Sequence, residues 1–357
     1  MILLQILLSF AISFTVVAVA TPFIRKLALR WKLGHKPNGR KERADNIPHV
    51  GGIGMAFATL LAVALSTVVL GDNGAMSLLT RILIPVALIV GLGIADDTKS
   101  LRASQKLTIQ VLASIVLVLS GIQMFTGIAV LDQSSVFVLL LSCFYLVGIS
   151  SSVNLVDGMD GLAAGLAAIS SGTFGAVAFF LGAPALLFMA MALVGACLGF
   201  LIYNFPPGRI FMGDTGSMFL GIMLGIIACS FTMLQPTLNT FIGVAFILAI
   251  PMMDSLLAIW RRIALRTPIF KADSLHMHHV LDVFGFSTRQ VLAILYSMQA
   301  VMAILGLLTV KGGTVPLIVG FVFLGVIFIS FIRIMVATKE RAENLSTKFA
   351  SVPSLED

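Results

Sequence analysis

The sequence predicts an all-α, polytopic integral membrane protein with its N-terminus outside and its C-terminus in the cytoplasm. Three observations carry that reading. Of 357 residues, 59% are hydrophobic and only 11% are charged, and the mean hydropathy of +1.06 lies far outside soluble usage. Eleven apolar runs approach the roughly 20 residues that a helix needs to cross a bilayer. Finally, 21 of the 23 Lys and Arg residues fall on one alternating set of connections, which the positive-inside rule makes cytoplasmic.

Taken in order, the first run (2–23) leads into a loop at 24–49 that holds eight Lys or Arg residues. The second (50–70) and the short third (81–95) are joined on the outer side, with Arg81 at the edge. Three basic residues follow at 96–106, before the fourth (106–121) and fifth (136–153) runs. Residues 154–160 lead to the sixth (161–181), and the seventh (184–203) leads to a connection at 204–215 that contains Arg209. The eighth (216–234) and ninth (240–260) precede a loop at 261–289 with five basic residues. The tenth (290–310) and eleventh (314–335), separated at Lys311, end in four more at 333–357. A cleavable signal peptide at 1–20 is the competing reading, but a basic n-region is missing and the charges follow the apolar run.

The expected organisation is one transmembrane domain, 1–336, and a polar, disordered cytoplasmic tail at 337–357. Cys143, Cys197 and Cys229 all fall inside runs and read as small apolar residues, not a disulfide framework. The net charge of +7 is a signal of topology and of anionic headgroups, so membrane lipids are the expected partners and nucleic acid is not.

Six carboxylates meet the basic face. Asp96 and Asp97 close the third run in GLGIADDTKSLRASQK, Asp157 and Asp160 stand in NLVDGMDGLAAG, Asp214 opens the eighth in FMGDTGS, and Asp254 precedes Arg261 and Arg262. A single Asp at a helix end is ordinarily solvated or an N-cap. Here the acids come in pairs, Gly158, Gly161, Gly213 and Gly216 flank them, and Asn154 precedes the second pair by one helical turn. Glycine allows close backbone approach, and carboxylate and amide oxygens suit a hard cation such as Mg²⁺. The cluster therefore points to a metal-diphosphate site. Asp214, Thr215 and Ser217 stand just before the apolar run from Met218, so the free N–H groups that begin this helix are expected to face an anion, with a bridging cation offsetting the carboxylate.

The basic loops add donors. In RKLALRWKLGHKPNGRKER, Trp31 amid Arg25, Lys26, Arg30, Lys32 and Lys36 fits an interfacial anchor. RRIALRTPIFKADSLHMHH holds His276, His278 and His279. That spacing could bind a transition metal, but with no cysteine or carboxylate partner nearby, donation to a diphosphate or sugar fits better.

Together these blocks resemble the polyprenyl-phosphate N-acetylhexosamine-1-phosphate transferases, WecA/TagO type. The resemblance spans roughly 20–285 and rests on KPNGRK…IPHVGG, the Asp pair followed by Lys106, NLVDGMDGL, FMGDTGS, PMMDSLLAIWRR and HMHH, in order. It implies ten or eleven spans and an active site on the cytoplasmic face of the bacterial inner membrane. It also implies Mg²⁺-dependent transfer, with Mn²⁺ as the alternative ion, of N-acetylglucosamine 1-phosphate from UDP-GlcNAc to undecaprenyl phosphate. UMP is released, and this is the first membrane step of a cell-envelope polysaccharide such as O-antigen lipopolysaccharide.

By motif, the resemblance places Asp214, Asn154 and Asp157 at the metal and makes Asp97 the carboxylate that deprotonates the lipid phosphate, with Asp96 in support and Asp157 in the catalytic set. Asp160 lines the cleft, Lys106 meets the lipid phosphate, and Arg40, Lys41, Arg261, Arg262, His276, His278 and His279 are substrate contacts. A homodimer is compatible with the family. Arg43, Ser151 and Ser274 replace the His, Asn and Arg common there, which leaves the carboxylates intact and bears on the sugar contacts. HMHHVL differs from the three consecutive histidines usual in the related phospho-MurNAc-pentapeptide translocases. The alternatives are another UDP-N-acetylhexosamine or UDP-MurNAc-pentapeptide as donor, or a membrane transporter. A transporter would place its polar residues near the bilayer midplane on repeated, broken helices.

Overall fold

The computed structural model describes residues 2–31, 47–264, 266–267 and 276–350, with side chains between 7 and 336. Arg40, Lys41, Arg43 and Ser274 lie outside the described residues. In chain order the helices are α1 (Ile2–Trp31), α2 (Gly51–Leu70), α3 (Asn73–Lys99), α4 (Ala103–Leu119), α5 (Ala129–Asp132), α6 (Ser135–Val156) and α7 (Leu162–Phe180). They continue with α8 (Pro184–Asn204), α9 (Gly213–Leu234), α10 (Leu238–Ile247), α11 (Ala249–Ala264), α12 (Met277–Val283), α13 (Thr288–Val310) and α14 (Thr314–Ala350). Among the described residues the one isolated β-bridge is parallel, between His49 and Phe211.

The protein is thus all-helical and polytopic. Among the described residues nine of these helices are long and apolar enough to cross a membrane, and the bent pair α10 and α11 makes a tenth if counted as one span. Helix α4 is shorter, at 17 residues. Each of the eleven predicted runs falls on one of these elements, with three differences. Helix α3 begins at Asn73, well before the predicted start, because Asp72 Oδ1 accepts the Ala75 N–H at 3.0 Å and caps it; Arg81 therefore lies within the helix. Helix α14 runs on to Ala350 where the sequence predicts an irregular tail from 337, and the stretch is rich in Ala, Glu, Lys and Arg with no Gly or Pro to interrupt it.

The third difference is the ninth run, which is broken: α10 and α11 meet at 82°. Pro251 has no N–H to offer the Ile247 carbonyl one turn back. Gln299 of α13 takes over, donating from Nε2 to the Ile247 carbonyl at 2.5 Å and to Ser170 Oγ at 3.0 Å, while its Oε1 accepts the Ile250 N–H at 3.2 Å. Ser170 Oγ donates to the same carbonyl at 2.8 Å. Away from water such backbone groups must be satisfied by protein, and one buried glutamine does so on both sides of the break.

Helix α9 is the centre of the bundle, 83% of its apolar window being buried against α2, α3, α6, α7, α8 and α10. By contrast α14, at 17%, turns most of its apolar surface outward, as a lipid-facing helix would. Backbone approach brings α3 up to α9: a Cβ on Gly93 would stand 2.6 Å from the Thr215 nitrogen. That contact sets the ends of the two helices side by side.

Candidate active site

The first turn of α9 is where the carboxylates meet. Gly213 opens the helix at φ +71°, a conformation that costs glycine little, and Met212 before it supplies no side-chain cap. Asp97, from the end of α3, supplies the cap from another helix. Its Oδ1 accepts the Asp214 N–H at 2.8 Å, and its Oδ2 accepts both the Thr215 N–H at 3.1 Å and the Thr215 hydroxyl at 2.7 Å. A carboxylate here is also favoured by the helix dipole. The expectation that the leading N–H groups of this helix are free for an anion is therefore corrected, since those of Asp214 and Thr215 are taken by Asp97.

Asp214 is held from two sides. Asn154 Nδ2 donates to its Oδ1 at 3.0 Å and to Ser217 Oγ at 2.9 Å, and Lys106 Nζ donates to its Oδ2 at 3.2 Å. The same ammonium forms an ion pair with Asp96, whose Oδ1 accepts the Leu101 N–H at 2.7 Å. Lys106, predicted to meet a lipid phosphate, thus stands between two carboxylates. It is 26% and Asp214 22% exposed, so both remain within reach of a ligand. Ser151 Oγ donates to Gln110 Oε1 at 3.4 Å and ties α6 to α4 one turn before Asn154.

Asp157 follows the last turn of α6, and no hydrogen bond to its carboxylate is found among the described residues. The crowded surroundings, then the charges of Asp214, Asp97 and Asp160, push its carboxyl well above the usual range. Asp160 accepts the Gly208 N–H at 2.8 Å, so it braces the connection between α8 and α9. Asn204 completes that brace, its Oδ1 accepting the Gly161 N–H at 2.9 Å and its Nδ2 donating to the Ile210 carbonyl at 2.8 Å. Sequence reasoning passed over Asn204, although an amide closing an apolar run just before FPPG is a signal of its own. The two motif blocks IPHVGG and IFMG also join, Gly51 and Gly52 donating to the carbonyls of Phe211 and Met212 at 3.0 and 2.9 Å.

The histidine block arrives from the other side. The expectation that this block has no carboxylate partner is corrected: Asp254 of α11, 22 residues earlier, accepts the Met277 N–H at 2.7 Å and pairs with His276 Nδ1 at 2.8 Å. The ring of His276 lies parallel to that of His278 with centroids 6.0 Å apart. His278 in turn packs on Gly158, where a Cβ would stand 2.5 Å from its Nε2. Burial, and then the neighbouring His279, lower His278 to about 4, against the pull of Asp254, so it is neutral at ordinary pH. His279 touches it with ring centroids 4.2 Å apart. Arg261 is buried, its Nη1 at 2.9 Å from Met335 Sδ of α14, and Arg262 follows it at the end of α11.

Mg²⁺ takes one or two carboxylates and fills its shell with substrate phosphates and water. Asp214, Asp157 and Asn154 offer such an oxygen set; burial and then the neighbouring carboxylates raise Asp157, and a divalent cation offsets that gathered charge. Among the described residues no three His, Cys, Asp or Glu side chains form a ready-made metal site, so the substrate would complete the shell. The residues fit the ion on those terms.

Comparison with known proteins shows what this chain is similar to. Residues 79–232, which include Asp96, Asp97, Asn154, Asp157 and Asp214, match glycosyl transferase family 4. The chain is 31% identical to a Bacillus subtilis protein described as a probable undecaprenyl-phosphate N-acetylglucosaminyl 1-phosphate transferase, over 92% of each. It is 33% identical to the decaprenyl-phosphate N-acetylglucosaminephosphotransferase of Mycobacterium leprae, over 91% of this chain and 88% of that one. It is 30% identical to the phospho-N-acetylmuramoyl-pentapeptide-transferase of Desulforudis audaxviator, over 87% of this chain and 99% of that one.

Proposed function

We propose, for a chain that belongs to glycosyl transferase family 4 as a polyprenyl-phosphate N-acetylhexosamine-1-phosphate transferase, a specific reaction: transfer of N-acetylglucosamine 1-phosphate from UDP-GlcNAc to undecaprenyl phosphate, dependent on Mg²⁺. The coarser activity, transfer of a phospho-sugar to a polyprenyl phosphate, comes with the family. The observation that carries the reading is Asp214, held between Asn154 and Lys106 at the tip of the buried central helix and beside Asp157. The GlcNAc-transferring relatives at 31% and 33% identity support the donor. The Lys and Arg distribution supports an active site at the cytoplasmic face of the bacterial inner membrane.

In the proposed reaction an oxygen of the lipid phosphate attacks the β-phosphorus of the donor. A P–O bond forms to the lipid, the bond from that phosphorus to the bridging oxygen breaks, and UMP leaves with the bridging oxygen. Asp214, Asn154 and Asp157 would hold Mg²⁺, which when bound offsets the diphosphate charge and polarises its oxygens. Lys106 supplies a cation where the acceptor phosphate approaches, and Asp96 keeps it there. A phosphate monoester loses its second proton near pH 6, so the acceptor needs no strong base. Asp97, predicted as that base, has both oxygens engaged by three donors of α9; its part here is to hold the first turn of α9 under the reacting phosphates.

The test is UMP release by the purified protein in lipid, with and without Mg²⁺ and undecaprenyl phosphate, offered UDP-GlcNAc, UDP-GalNAc or UDP-MurNAc-pentapeptide. Release that needs UDP-GlcNAc, metal and lipid together supports the full proposal. Release with the pentapeptide donor alone moves the specificity to the second reading, which the 30% identity to a pentapeptide transferase favours. Direct displacement further requires that labelled UMP does not exchange into UDP-GlcNAc in the absence of lipid acceptor.

A further inference from the structure

We infer that Asp254 is a positioning residue that keeps a proton on Nδ1 of His276 and thereby leaves the opposite ring nitrogen, Nε2, to face the nucleotide-sugar. The pair is an interior feature: Asp254 is 2% and His276 7% exposed. Both oxygens of Asp254 are committed, one to the His276 Nδ1 at 2.8 Å and the other to the Met277 N–H at 2.7 Å. A carboxylate has no proton to give at neutral pH, so the contact with Nδ1 requires that Nδ1 carry the hydrogen. Left alone, an imidazole takes either tautomer, and the hydrogen bond at one nitrogen decides what the other can do.

The second oxygen makes the arrangement rigid. By accepting the Met277 N–H it satisfies the first turn of α12, so the ring and the backbone that carries it are referenced to one side chain of α11. No partner for the second ring nitrogen of His276 is found among the described residues, and Nε2 is not among the buried atoms left without a hydrogen bond. Nε2 is therefore the ring atom left to meet a ligand. The parallel stack from His276 to His278, and the packing of His278 on Gly158, join this dyad to the turn that bears Asp157 and Asp160. A change at Asp254 therefore reaches the carboxylate end through the histidines as well as through the packing of α11 on α6.

Two measurements test this, and only the second rests on the proposed transferase reaction. Histidine nitrogens of the full chain in lipid nanodiscs are followed by ¹⁵N NMR, with His276 assigned by its loss in H276N. The wild type is expected to show a proton on Nδ1. D254N is the informative variant because its remaining oxygen still serves the Met277 N–H while its NH₂ faces the ring, which forces Nδ1 to accept and moves the proton to Nε2. An Nε2–H tautomer in the wild type, or the same signal in both proteins, overturns the assignment.

In UMP-release kinetics D254N is expected to lower kcat/KM by about 10- to 100-fold, the range seen when a partner that orients a functional histidine is lost. D254E should recover part of it, and D254N/H276N should be no worse than H276N alone, because both act through one ring. Additive losses overturn the assignment. A wild-type chain that releases no UMP counts against the functional reading, and the tautomer result then decides the role of Asp254 by itself.

Discussion

Asp97 and Thr215 join α3 to α9: one carboxylate oxygen accepts both the backbone N–H and the hydroxyl of Thr215, at 3.1 and 2.7 Å. The position of Asp214, one residue earlier, is thus set by a different helix from the one that carries it. A carboxylate at a helix tip would otherwise follow every fraying motion of that tip. Bracing by Asp97 from α3, Asn154 from α6 and Lys106 from α4 places it against three separate elements.

Asp97→Asn is the direct probe of that brace. The substitution turns an accepting oxygen into an NH₂ that must face either the Asp214 N–H or the Thr215 donors. One buried donor pair then clashes, at a cost of about 1–3 kcal/mol. Both thermal stability in lipid and UMP release should fall, and raising Mg²⁺ should restore only part of the activity. A variant as stable as the wild type and inactive at every Mg²⁺ concentration would speak for a purely chemical role of Asp97 instead.

Lys106→Met removes an ammonium shared by Asp96 and Asp214. Breaking a fully buried pair costs about 3–5 kcal/mol, and partial exposure of Lys106 reduces this to about 1–2 kcal/mol. Turnover should drop and the KM for the lipid acceptor should rise, since the cation that would meet the acceptor phosphate is gone. Lys106→Arg keeps the charge and should recover part of both. An unchanged acceptor KM in the Met variant would remove Lys106 from the acceptor site.

His278 makes stability depend on pH in a definite window. Its pKa falls from 6.5 to about 4 in the folded protein, so between those values the unfolded chain binds more protons than the native one. Stability then rises with pH: the contribution is complete above about 6.5 and is lost as pH falls towards 4. At about 1.4 kcal/mol per unit it amounts to about 3 kcal/mol. His278→Gln should flatten the melting temperature between pH 4 and 6.5 relative to the wild type. A parallel pair of curves would show that His278 does not carry this dependence.

The elements and the address of the site are legible in the sequence, because both depend on local pattern. Apolar runs bounded by charge become helices, and acids at run ends on one side of the charge map meet at one end of the bundle. What joins them is not local. Asp97 and Thr215 are 118 residues apart, Asn154 and Asp214 are 60 apart, and nothing in either neighbourhood names its partner. The free helix N-terminus expected before Met218 follows correctly from the first-turn N–H rule, but the rule is blind to a carboxylate brought in by close packing at Gly93. Asp254 is likewise readable as an acid on the right face, whereas its service to His276 depends on how α11 turns after the break.

That break gives the last expectation. Gln299 satisfies the Ile247 carbonyl freed by Pro251 and the Ile250 N–H beyond it, and both lie in the buried interior. Gln299→Leu leaves the N–H with no partner and the carbonyl with Ser170 alone, a loss of about 2–4 kcal/mol for the groups involved. Gln299→Glu keeps the acceptor for Ile250 but not the donor for Ile247, and should fall between Leu and wild type. Because α11 carries Asp254, a loosened break also releases the histidine block, so UMP release in Gln299→Leu should fall even at temperatures where the protein stays folded. Melting within about 0.5 kcal/mol of the wild type would show that the bend is held by packing and that the glutamine is incidental to it.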